Sequence, residues 1–102
     1  ILDFIRNPNY VYMKWPVDYW PGRDAAADAD AWNRTISSWQ ADNQALQAFV
    51  NDPNTDLYTP LGWGQGQNVV REITTVADHN AYHIGEFAIL RQVMGTWPAG
   101  HK

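Results

Sequence analysis

The stretch Asp78-His79-Asn80-Ala81-Tyr82-His83-Ile84-Gly85-Glu86 decides how this chain reads. It carries two of the chain's three histidines, four residues apart. On an α-helix that spacing puts both side chains on one face, one turn apart. The surrounding pattern is helical as well. Val76, His79, His83, Phe87, Leu90 and Met94 advance in steps of three and four, and Val69 and Ile73 join the same side earlier. The spacing predicts a helix over 67–95 whose apolar stripe, with both imidazoles in it, faces a core.

Two readings of the histidine pair stand side by side. Two imidazoles stacked on one helix face can hold a single divalent ion between them, which makes His79 and His83 candidate metal ligands. Alternatively each is a core residue bonded to a backbone carbonyl. A buried imidazole with no polar partner costs about 1–3 kcal/mol, so a stacked pair in an apolar stripe is harder to explain as packing than a single ring. His101, in the short tail after Pro98, is assigned no ligand role.

Upstream of the pair, Leu61-Gly62-Trp63-Gly64-Gln65-Gly66 is glycine-rich. It has no lysine at the position a phosphate-cradling loop requires and no strand before it, so it reads as a tight backbone turn into the last helix. Before it lies a second long helical pattern. Asp24 is placed as N-cap, and Ala25, Ala29, Trp32, Ile36, Trp39, Leu46 and Val50 form a near-heptad stripe interrupted by Asn43, as in the seam of a helical bundle. Asn43 suits either register specification or reach toward a ligand. Asn51-Asp52-Pro53 ends that helix.

Residues 9–24 are irregular, broken by Pro16 and Pro21-Gly22, and rich in aromatic rings: Tyr10, Tyr12, Trp15, Tyr19 and Trp20. They are expected to pack over a core end, with a pocket wall as the other reading. Ile1 to Arg6 has the look of the last turns of a helix stopped by Asn7-Pro8. With an end and no N-cap, it is expected to be a helix that the chain enters partway.

Composition narrows the classes. At 102 residues, with 45% hydrophobic and 18% charged residues, the chain is expected to be one globular helical domain, residues 1–102. A net charge of −4 without a basic block argues against nucleic acid and anionic membrane as partners. Cysteine is absent, which removes disulfides and thiolate chemistry and suits a reducing, cytoplasmic setting. Six tryptophans and five tyrosines supply rings enough for a core, a pocket or an interface.

The run Ala77-Asp78-His79-Asn80-Ala81-Tyr82-His83-Ile84-Gly85-Glu86, followed by Leu90-Arg91 and Met94-Gly95-Thr96-Trp97, resembles the DinB family of metal-binding helical bundles. The loop Trp63-Gly64-Gln65-Gly66-Gln67, the opening Ile1-Leu2-Asp3-Phe4-Ile5-Arg6-Asn7-Pro8, and Tyr19-Trp20-Pro21 are similar to one subgroup of it. The resemblance implies an all-α, four-helix up-down-down-up bundle, here lacking the first helix and most of the second. It also implies a divalent metal, zinc, nickel or iron, held by three histidines. His79 and His83 match the two contributed by the fourth helix, and the third is expected upstream of Ile1. Within 1–102, Asp3 or a second subunit is the remaining source of a third ligand.

Such an ion can lower the pKa of bound water toward ~7 or hold a thiolate. The implied activity is therefore that of a metal-dependent hydrolase or a low-molecular-weight-thiol S-transferase acting on a small molecule. No general base is assigned: Glu86 and Asp78 read as surface carboxylates. Asn80 or Tyr82 could orient an imidazole from outside the ligand set. The alternative is a metal-free helical bundle serving as a binding or dimerisation module. An uncovered bundle seam makes a homodimer an expectation under either reading.

Overall fold

The computed structural model describes residues 1–22, 24 and 28–100. Among them are three α-helices and no strand: α1 (Leu2–Arg6), α2 (Ala31–Asn51) and α3 (Val69–Met94). The all-α expectation holds.

Each helix ends where its local chemistry dictates. Asn68 caps α3, its side-chain oxygen accepting from the Arg71 amide at 2.9 Å, while its Nδ2 donates to the Tyr58 carbonyl. Glu72 in the first turn and Arg91 in the last both complement the helix dipole. Gly95 closes the helix at φ +64°, the left-handed conformation that a residue without Cβ adopts freely, and the Thr96 amide reaches back to the Arg91 carbonyl. At the end of α2 the Thr55 hydroxyl donates to the Phe49 carbonyl at 2.7 Å.

The start of α2 differs from expectation. Ala25, predicted to open the helix, lies outside the described residues, while Asp28 to Asp30 are not helical and the helix begins at Ala31. The reason is local. Asp28 accepts from the Asp30 amide at 3.0 Å and holds the Arg34 guanidinium at 2.7 Å, a turn that competes with helix for the same backbone. His101, assigned no ligand role, and residue 102 also lie outside the described set.

The core is small. Phe4 and Ile5 of α1 bury themselves against Leu46 of α2, and Phe49, Val50, Leu61, Trp63, Ile73 and Val76 pack around them. Loop 52–68 closes this end. Trp63 donates its indole N–H to the Phe4 carbonyl at 2.7 Å, and the Leu61 amide donates to the Gln67 carbonyl. Gly64 sits close under this loop: a Cβ there would lie 2.8 Å from Gln67 Oε1 and 3.4 Å from Phe4 Cζ, so the Gln67 side chain would have to move aside. Residues lining the groove between α2 and α3 run in opposite order, Val50 and Asn51 with Ile73, and Trp39 with His79 and Asn80. The two long helices are thus antiparallel, joined at the core end.

Away from that end the helices run past their packing. The radius of gyration is 17.1 Å, against about 13 Å for a compact domain of this length. Two expectations are corrected by this. The stripe of α3 meets a core as far as Val76, but Phe87, Leu90 and Met94 are 53%, 50% and 62% exposed. The aromatic segment does not cover a core end either. Only its start reaches that end, Tyr10 edge-on to Phe4 and Tyr12 against both rings, while Trp15, Tyr19 and Trp20 are exposed and stack chiefly on one another. In both cases the side chains are apolar enough to bury, but no described element lies opposite them.

Candidate metal centre

α3 alone positions the histidine pair. His79 is exposed and His83 half-buried, just beyond the point where the helix leaves the core at Val76. Their Nε2 atoms lie 2.9 Å apart, with ring centroids at 4.4 Å and planes crossed at 83°. The two rings meet through the same nitrogen, Nε2 against Nε2 at hydrogen-bond distance. The burial expected of them is not found.

The other side of His83 is occupied. Its Nδ1 stands 2.7 Å from Glu86 Oε2, one turn onward. Tyr82 and His83 both act on the Glu86 carboxyl. His83 first and Tyr82 next hold the Glu86 carboxyl below its usual range, and Glu86 pushes the Tyr82 phenol up. Tyr82 also sets its ring edge-on to His83, centroids 5.3 Å apart.

Glu86, expected to be a surface carboxylate, is thus the side chain that contacts His83. The signal was available in its spacing, three after His83 and four after Tyr82, both within reach on a helix. Tyr82 touches the pair directly, its ring edge-on to His83. Among the described residues neither Asn80 nor Asp78 hydrogen-bonds an imidazole. Asp3, considered as a third ligand, is engaged instead by Asn7 Nδ2 at 3.3 Å.

A second carboxylate also escaped the reading. Glu72 falls on the same helix side as His79, at 72, 76, 79 and 83, and it is buried with its charge met by Arg71. It lies two turns from the pair and belongs to the core end.

Two imidazole nitrogens bound to one zinc at 2.0–2.1 Å with a tetrahedral angle stand about 3.3 Å apart. The observed 2.9 Å is within a small ring rotation of that separation. The pair fits as two ligands of an ion, and a carboxylate on the far nitrogen is the usual support of a ligating histidine. Among the described residues no group of three His, Cys, Asp or Glu side chains comes together.

A cleft of about 220 Å³ adjoins His79, walled by Leu2, Trp39, Leu46 and Val76 and floored with the polar groups of Asn43 and Asn80. On the other flank His83 and Glu86 border an open apolar hollow of about 460 Å³ formed with Phe87, Leu90 and Val93. No described helix is long and apolar enough to cross a membrane.

Comparison with known proteins finds no matching family model, no matching curated protein and no matching solved structure.

Proposed function

We propose that this chain contributes part of a DinB-like metal centre, with His79 and His83 as two imidazole ligands of a divalent ion, zinc, nickel or iron. One observation carries the reading: two Nε2 atoms converge at 2.9 Å on one face of α3. In the bundle that the sequence resembles, α1, α2 and α3 take the places of the end of the second helix, the third and the fourth, in up-down-down-up order. The resemblance implies that the third histidine belongs to that second helix, and the cleft beside His79, which Ile1 and Leu2 line, supports a place for that helix next to the pair.

A bound ion of this type supplies an acidic water or a stabilised thiolate, the chemistry of a hydrolase or of an S-transferase using a low-molecular-weight thiol. The chain's own part is to hold the ion and to receive a small substrate. The cleft by His79 has apolar walls for its body and the Asn43 and Asn80 amides for its polar group. A cysteine-free composition suits work in the cytoplasm.

Metal analysis of protein expressed from its native reading frame and purified without added metal tests this. The expected result is a stoichiometric divalent ion that is lost in a folded His83→Ala variant. Occupancy unchanged in both His79→Ala and His83→Ala excludes the site.

A second reading is favoured by a separate observation. Tyr82, Ile84, Phe87, Ile89, Leu90, Val93 and Met94 are all exposed on the outer half of α3, more apolar surface than one helix usually shows to water. Under it the chain is a metal-free binding or dimerisation module. Protein without metal whose molecular mass in solution is that of a homodimer supports this alternative.

A further inference from the structure

We infer that Glu86 is the positioning residue of the histidine pair: it accepts a hydrogen bond from Nδ1–H of His83 and so commits the Nε2 lone pair of that ring to the face shared with His79. The inference deepens the metal reading and rests on it for its consequence, a more tightly held ion. The tautomer itself is a property of the chain with or without metal.

The geometry leaves little choice of roles. An ionised carboxylate can only accept, so at 2.7 Å from Glu86 Oε2 the His83 Nδ1 must donate. A neutral imidazole has one N–H, and with that hydrogen on Nδ1 the Nε2 carries a lone pair. That lone pair lies on the line to His79 Nε2.

The Tyr82 ring stands edge-on to His83, centroids 5.3 Å apart. Tyr82, His83 and Glu86 thus form a small chain of contacts within one turn of α3, all on residues whose separations a helix enforces. The arrangement is asymmetric. Among the described residues His79 has only His83 as a hydrogen-bond partner, so one ring is fixed in advance and the other can adjust to it. That division suits a site in which a preset donor receives the ion first and the neighbouring ring follows.

Nuclear magnetic resonance of the imidazole nitrogens in the full chain, metal-free, reads the tautomer directly. Wild type is expected to show His83 in its Nδ1–H form. In Glu86→Gln the amide can present either its oxygen or its NH2 group, so the Nε2–H form of His83 should grow in. Titration with Zn²⁺ alone should show affinity reduced about tenfold or more in Glu86→Gln and abolished in His83→Ala.

An Nε2–H form of His83 in wild type overturns the assignment. So does a tautomer unchanged in Glu86→Gln with helicity intact by circular dichroism. Zinc held through His83 equally well by wild type and Glu86→Gln sinks the positioning role while leaving the metal reading standing. A chain that takes up no zinc, yet whose His83 tautomer follows Glu86, removes the metal reading and upholds the positioning role.

Discussion

The indole N–H of Trp63 donates to the backbone carbonyl of Phe4 at 2.7 Å, across 59 residues of chain. This bond fastens loop 52–68 over α1, and through the loop it sets where α3 starts. The Val70 amide bonds the Leu57 carbonyl, and Asn68 caps the helix from the same loop. Whatever the histidine pair does, its distance from the core is fixed at this join.

Trp63→Phe should therefore destabilise the fold by about 1–3 kcal/mol, since it leaves the Phe4 carbonyl without its donor and opens space beside a small core. Urea unfolding followed by circular dichroism measures it. No change in the midpoint would mean that the loop is not fastened there.

Leu46→Ala and Leu90→Ser should separate sharply. Leu46 is 8% exposed, and truncating it should cost about 2–5 kcal/mol. Leu90 is 50% exposed, and a polar replacement there should stay within about 0.5 kcal/mol. A large loss at Leu90 in thermal unfolding would show that the outer half of α3 is covered in solution, as the dimerisation reading requires.

Gly95→Ala forces a Cβ into the left-handed region at φ +64°, a strain of about 1–2 kcal/mol. Nothing lies near that Cβ, so the effect should be conformational and confined to the end of α3. Amide hydrogen exchange at Thr96 should accelerate about fivefold or more, with exchange near Ile73 unchanged.

Acid should loosen the turn at Asp56. The amides of Thr59 and Tyr58 donate to its side chain at 2.9 Å, and the Thr59 bond in particular holds the carboxyl below its ordinary value. A depressed folded pKa means a contribution present above the unfolded value, about 3.9, and lost as pH falls through the folded one. The Asp56 carboxyl resonance should titrate below that of an exposed aspartate. Titration at the ordinary value would mean that the turn is not formed.

How much could be read in advance depends on the range of the forces involved. The extent of α3, its glycine end and the side-by-side histidines were legible because a helix relates residues three and four apart by geometry alone. The start of α2 was misread because the competing turn of Asp28 with Asp30 and Arg34 is weaker as a pattern than a run of alanines. Glu86 was legible in spacing but undervalued, since carboxylates on helices usually face water. The exposure of Phe87, Leu90 and Met94 was not legible. An apolar stripe states what a helix side could bury, not whether anything lies opposite it.

The order of residues along the chain determined, by itself, that this protein is helical and that His79 and His83 share one face. Those are local consequences of 3.6 residues per turn. Only the tertiary structure decided that the core sits at the Phe4–Leu46 end, that α3 outruns it, and that the pair stands just beyond the last buried contact. Such relations depend on which distant segments meet, and a hydrogen bond such as Trp63 to Phe4 joins residues that no local periodicity connects.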